Sequence, residues 1–294
     1  MERRITVPAV RSSKKSVTGQ ALVMVTAYDA PGSRMADKAG VDMILVGDSL
    51  AMVVLGYEDT LSVTVDDMVH HTAAVARANP RALVIADMPW MSYHVSNEDT
   101  VRNAARLIRA GAKAVKLEGG RNRIASIEAI IAAEIPVMGH LGLTPQSVNA
   151  MGGFKVQAKQ ATEAEALIQD ASMLEQAGCF AIVLEGVPDT VAQLVTSSIE
   201  VPTIGIGAGP HCDGQVLVFH DVLGLEERIV PKFVRRYAEL GPAGVEALKA
   251  FAQDVRSGAF PSDSESYHLS AQVEDELIGS LYPGAGSLQS ASGS

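Results

Sequence analysis

The chain has 294 residues, 47% of them hydrophobic and 20% charged, with 24 basic against 34 acidic side chains and a formal net charge of −10. The length suits one large α/β barrel or two smaller domains, and the acidic balance argues against a nucleic-acid or anionic-membrane surface. The two cysteines, Cys179 and Cys212, have no zinc-type spacing, no apolar stretch nears the roughly 20 residues that span a bilayer, and polar residues follow Met1-Glu2-Arg3-Arg4 in place of a signal core, so a soluble cytoplasmic protein is expected.

Residues 1 to about 18 read as an N-terminal arm with a basic patch from Arg11 to Lys15. Leu22 to Thr26 is the first expected strand, ending at Tyr28-Asp29, and a helix from Ser33 to Lys38 stops at Gly40. The run Met43-Ile44-Leu45-Val46-Gly47 is the second strand, and Thr64 followed by Asp66 and Asp67 starts a helix as a cap with early acids. The third strand runs into Asp87, Asn97 opens a helix that Gly111 closes, and the fourth strand carries Lys116 and Glu118. A helix from about Arg123 to Ala133 leads to the fifth strand, which ends at His140. The stretch Leu141 to Lys159 is a long loop, and a loop of that length in a compact domain is usually functional.

Thr162 is the expected cap of a helix reaching Ala177, the sixth strand ends at Glu185, and Pro188 to Ser198 is helical. Thr203 to Ile206 and Gln215 to Phe219 complete eight strands at the spacing of βα units. From about Pro231 the pattern predicts helix throughout, past Phe233, Tyr237, Val245 and Phe251. The Ser/Gly/Glu-rich tail from Ser262 lacks apolar periodicity and its end is expected to be disordered. The expectation is a single (β/α)₈ TIM barrel over residues 1–262, with an N-terminal arm and a C-terminal helical extension, and a tail over 263–294.

Five of the apolar runs end in a side chain capable of chemistry: Asp48, Asp87, Lys116 with Glu118, His140 and Glu185. In a barrel of alternating strands and helices all strand carboxyl ends open on one face, where active sites sit. Asp48, Asp87 and Glu118 are hard oxygen donors that suit magnesium, although Asp48 and Asp87 alone also read as caps. Lys116 lies two residues before Glu118, on the same side of an extended strand. It suits an anionic substrate such as an oxo acid, or a plain salt bridge to Glu118. His140 reads as supporting the site. Glu185, on a later strand than the proposed metal ligands, suits a general base for a carbon-bound proton, or a salt-bridged strand end. Gly205-x-Gly207-x-Gly209 is a weak phosphate-loop signal that tight turns also produce. Met88, Trp90 and Met91 are candidates for the pocket mouth, and Cys179 for the core.

Several ordered motifs carry a resemblance. Val46-Gly47-Asp48-Ser49, Ala86-Asp87-Met88-Pro89, Val115-Lys116-Leu117-Glu118-Gly119-Gly120, Gly139-His140-Leu141-Gly142-Leu143-Thr144-Pro145-Gln146-Ser147 and Cys212-Asp213-Gly214-Gln215 resemble the ketopantoate hydroxymethyltransferase family over about Thr26 to Pro261. The resemblance implies transfer of a hydroxymethyl group from 5,10-methylenetetrahydrofolate to 3-methyl-2-oxobutanoate, on the way to pantothenate, through a magnesium-stabilised enolate. It implies Asp48, Asp87 and Glu118 at the magnesium (Mg2+), Asp48, Ser49, Asp87 and Lys116 at the oxo acid, and Glu185 as proton acceptor. It also implies small-molecule substrates and a large homo-oligomer, commonly a decamer. Gly186 departs from the larger residue expected after the base, and the stretch after His268 exceeds the usual family end. A magnesium-dependent lyase or mutase acting on an oxo acid is the alternative enzyme, and a non-catalytic folate or oxo-acid binder the alternative class.

Overall fold

A computed structural model of the chain describes residues 4–226 and 231–282. Its strands are β1 (Leu22–Thr26), β2 (Met43–Val46), β3 (Leu83–Asp87), β4 (Ala114–Glu118), β5 (Val137–Gly142), β6 (Ala181–Glu185), β7 (Thr203–Ile206) and β8 (Gly214–Leu217). All neighbours pair in parallel, and β1 pairs with β8 as well as β2, so the sheet closes in sequence order. This is the (β/α)₈ TIM barrel expected from the sequence.

Residues two apart on a strand share a face, and the inward set keeps that period. Met43 and Leu45, Leu83 and Ile85, Ala114, Met138, Ala181 and Val183 fill the barrel as one buried cluster. The residues between them, such as Ile44, Val84, Val115 and Ile182, join a second cluster with the surrounding helices. Burial on both faces is why these strands read as unbroken apolar runs. One step further along the inward series lie Asp87, Lys116 and Glu118, His140 and Glu185.

The N-terminal arm closes the other end. Thr6 caps a short helix, Val7–Arg11, and its Val10 is buried in the inner cluster with Leu22 and Met24. Lys14 pairs with Asp213 at 3.1 Å, and Asp213 also accepts from the N–H groups of Lys15 and Thr203, both at 2.9 Å.

Several boundaries differ from the sequence reading. The first barrel helix is Ala30–Lys38, not Ser33 onward: Asp29 caps it by accepting from Gly32 N–H at 2.6 Å, and Pro31 sits in the first turn, where its missing N–H costs nothing. The helix after the long loop is Ala161–Gln176 with Gln160, not Thr162, at its cap, because the Glu163 carboxylate accepts from the Lys159 and Gln160 N–H groups. The eighth strand is shorter than expected, and Phe219 starts a helix, Phe219–Leu223. The segment 231–239 is not helical. Phe233 packs where a Cβ on Gly207 would lie 2.7 Å from its ring, and Tyr237 N–H donates to Val222 O at 2.8 Å, so Phe233 lies against the turn at Gly207 and the Tyr237 main chain is tied to the helix Phe219–Leu223. Residues 227–230 lie outside the described residues.

The chain divides into two compact units, Met1–Leu240 and Gly241–Ser294. The boundary falls one residue into the helix Leu240–Ser257. The second unit contains most of the Leu240–Ser257 helix and all of the Ala271–Leu281 helix. The latter corrects the reading of an aperiodic tail: Val273, Leu277 and Leu281 recur every four residues, a period masked by the Ser- and Glu-rich surroundings. The end of the tail, 283–294, lies outside the described residues. Among the described residues no helix is long and apolar enough to cross a membrane.

Candidate active site

The barrel register brings the predicted side chains together. Asp87 is the cross-strand partner of Lys116, Glu118 that of His140, and Gly142 that of Glu185. Asp48 lies just beyond β2, where the chain turns, and its N–H donates to Asp87 Oδ2 at 3.1 Å. From Asp87 the contacts run on without a gap. Lys116 Nζ lies 2.9 Å from Asp87 Oδ1 and 3.1 Å from His140 Nδ1. His140 Nδ1 is 3.4 Å from Glu118 Oε1, and His140 Nε2 is 3.3 Å from Glu185 Oε2. The Lys116 ion pair is therefore with Asp87 on the neighbouring strand, not with Glu118 on its own.

Asp48, Asp87, Lys116, Glu118 and His140 are all buried, whereas the Glu185 side chain retains 16% exposure. Four carboxylates face two cations, and the electrostatics follow. Burial, then the charges of Asp87 and Glu118, push the Asp48 carboxyl well above its usual range. Burial also raises Asp87, against the opposing pull of Lys116. Burial would raise Glu118 too, but its bond to His140 and the Lys116 charge hold it below its usual value. Burial and Lys116 work to lower His140, yet pairing with Glu118 and Glu185 lifts it to about 9. Lys116, which burial alone would discharge, is kept cationic by Asp87, Glu118 and Asp48.

Ser49 is reached by a separate chain of hydroxyls. Thr26 Oγ1 accepts from Phe219 N–H at 2.9 Å and donates to Tyr28 OH at 2.8 Å, and Tyr28 OH meets Ser49 Oγ at 2.9 Å. At the inward position of β2 stands Gly47, where a Cβ would fall 2.9 Å from Ser49 Oγ and 3.6 Å from Asp87 Oδ2. A side chain there would fill the space that Ser49 and Asp87 border.

That space and the hard oxygen donors fit a divalent cation that retains waters. Among the described residues no three His, Cys, Asp or Glu side chains converge tightly enough to enclose an ion by themselves. Magnesium does not require such a cage, since it usually takes one or two carboxylates and keeps several waters. Asp48 and Asp87 are the pair available to it, with Glu118 behind them.

Two participants carried no role in the sequence reading. Gln146, on the 3₁₀ turn Pro145–Ser147, donates from Nε2 to Asp48 Oδ2 at 2.8 Å, and Tyr93 OH donates to Gln146 Oε1 at 2.5 Å. Gln146 lay in the long loop after His140 and in the motif Gly139 to Ser147, whereas no sequence signal marked Tyr93. Of the candidates for the pocket mouth, Met88 is buried in the outer core, while Trp90 and Met91 are exposed. Gly207 and Gly209 have φ of +61° and +76°, with Phe233 and Asp189 packed against them, as tight turns require. Cys179 is a buried core residue whose thiol burial pushes up to about 12.

A closed parallel barrel whose strand ends bring carboxylates, a lysine and a histidine into contact is the arrangement of a barrel enzyme equipped for acid–base work. A family model described as ketopantoate hydroxymethyltransferase matches residues 4–263. Proteins named 3-methyl-2-oxobutanoate hydroxymethyltransferase are similar along nearly the whole chain. That of Syntrophobacter fumaroxidans is 55% identical over 96% of this chain and 99% of its own length. That of Ignicoccus hospitalis is 58% identical over 85% and 95%. The chain belongs to the ketopantoate hydroxymethyltransferase family and is a transferase. Among solved structures, a phosphonopyruvate hydrolase complexed with oxalate and Mg++ shares the fold with a TM-score of 0.58 at 16% identity, over 95% of this chain and 99% of that one. A 2,3-dimethylmalate lyase shares it with a TM-score of 0.56 at 18% identity, over 93% and 94%.

Proposed function

We propose that this chain transfers a hydroxymethyl group from 5,10-methylenetetrahydrofolate to 3-methyl-2-oxobutanoate, giving 2-dehydropantoate for pantothenate synthesis. The observation that carries the reading is the division of the carboxylates into two sets. The Asp48 main-chain N–H donates to the Asp87 carboxylate beside Lys116, whereas Glu185 stands apart on β6 and joins the cluster through His140. The first set suits a metal and an oxo-acid headgroup, and the second a proton acceptor.

Magnesium held by Asp48 and Asp87, with Glu118 behind, would supply Lewis-acid charge at the oxo-acid oxygens. Lys116 and Ser49 hold the substrate carboxylate. Glu185, the most exposed of the four carboxylates, takes the C3 proton, and His140 keeps its carboxylate aimed. The C3 carbon then bonds to the methylene carbon of the folate as its bond to N10 opens, and water replaces the remaining bond to N5, releasing tetrahydrofolate and leaving the hydroxymethyl group on C3. Loss of a positioned base typically costs about 10²–10⁴-fold in rate. The reading carries with it small-molecule substrates and assembly as a homo-oligomer.

Proton NMR of 3-methyl-2-oxobutanoate in D₂O tests it. Wild-type protein with magnesium should exchange the C3 proton for deuterium, EDTA should stop the exchange, and Glu185→Gln should abolish it while substrate affinity holds. Adding methylenetetrahydrofolate should yield ketopantoate. No ketopantoate from the wild type with both substrates and magnesium would overturn the proposal.

A further inference from the structure

Resting on that reading of the pocket, we infer that Gln146 is the positioning residue that fixes the carboxylates for the metal, oriented in turn by Tyr93. Its buried amide and its main chain reach three successive strand ends. Nε2 donates to Asp48 Oδ2 beyond β2 at 2.8 Å and to Met88 O beyond β3 at 2.9 Å, and the main-chain N–H donates to Glu118 Oε2 on β4 at 3.0 Å. The residue itself follows β5.

The amide can sit only one way round. Tyr93 OH accepts from Glu118 N–H at 3.3 Å, so its own proton is free to go to Gln146 Oε1, 2.5 Å away. Turning the amide over would set Oε1 against a carboxylate and a carbonyl, two acceptors, and leave the Tyr93 proton facing a donor. Tyr93 thus fixes Gln146, and Gln146 fixes the rotamer of Asp48 and its spacing from Glu118. A residue that only filled space would not need an amide, since each bond here runs from a donor to an acceptor that would otherwise be buried unpaired. Partners behind metal-ligating groups typically account for about 10–100-fold in metal affinity.

The test is Mn²⁺ binding to the full-length protein, followed by electron paramagnetic resonance of the free ion, alongside thermal unfolding in EDTA. Gln146→Leu should weaken Mn²⁺ binding by roughly 10–100-fold, and raising the metal concentration should recover part of its turnover. Tyr93→Phe should weaken binding in the same direction, and it decides the matter if Gln146→Leu does not fold. If a folded Gln146→Leu melts lower but binds Mn²⁺ as the wild type does, the residue is structural and the inference is overturned. Unchanged binding by Tyr93→Phe overturns the part given to Tyr93, and the whole where it is the only folded variant. A wild type that binds no divalent ion would instead overturn the functional reading on which the inference rests.

Discussion

His140 sits among Lys116, Glu118 and Glu185 with almost no access to water, so its charge state depends on which neighbours win. Burial and the lysine disfavour the imidazolium, and the two carboxylates outweigh them, lifting the pKa to about 9. An unfolded histidine titrates near 6.5. The folded state therefore holds this proton more tightly than the unfolded chain. The resulting stability is complete below about pH 6.5 and is lost as pH rises through about 9. For metal-free protein, the melting temperature should fall between these values, and His140→Gln should fall less steeply over the same window. Equal slopes would remove His140 as the source. The placement of the candidate residues was legible where an apolar strand ran into a polar side chain, as at Asp87 and Glu185. Gln146 and Tyr93 were hidden because their partners lie 25 to 98 positions away along the chain.

The junction of β5 and β6 puts a similar demand on the backbone. Gly142, paired with Glu185 in register, has φ of +92°, and a Cβ there would lie 2.2 Å from the Glu185 carbonyl oxygen and 2.7 Å from Val187 Cγ1. An L side chain at this φ is strained, and the collision is relieved by forcing apart the ends of β5 and β6, the latter carrying Glu185. Gly142→Ala should cost roughly 1–3 kcal/mol in stability. On the role proposed for Glu185 it should also lower kcat by about 10²-fold, with a smaller change in KM. Gly19→Ala, at φ +71° with open space around it, should cost stability alone. A Gly142→Ala enzyme with full kcat would show that the strand end does not aim Glu185. Gly186 follows Glu185 at φ of +56°, where glycine is unstrained and an added Cβ would lie 3.2 Å from Leu143 Cβ. Strands were read well from sequence because burial on both faces leaves continuous apolar runs. Element ends were read less well because caps such as Asp29 and Gln160 act through local hydrogen bonds that composition does not reveal.

At the scale of the barrel, chemistry and closure occupy opposite ends. The strand carboxyl ends hold the charged pocket, and the strand amino ends are sealed by the arm, with Val10 in the inner core and Lys14 paired to the buried Asp213. Sequence alone marked the arm as a basic patch, because its partner Asp213 is nearly 200 residues downstream. Conserving function while weakening the seal should therefore be possible. In Lys14→Ala, Asp213 keeps the N–H donors of Lys15 and Thr203, so it is not stranded as a bare buried charge, which would cost about 3–5 kcal/mol. Lys14 Nζ also donates to Thr196 O at 2.5 Å, so two charged-group bonds are lost, about 1.5–3 kcal/mol each. At roughly 2–4 °C per kcal/mol for a domain of this size, the melting temperature should drop by about 6–24 °C. Turnover measured well below the new midpoint should stay within about twofold of wild type. A fall in kcat there, with KM for the oxo acid also changed, would mean that strain at the sealed end reaches the pocket and that the two ends of the barrel are not independent.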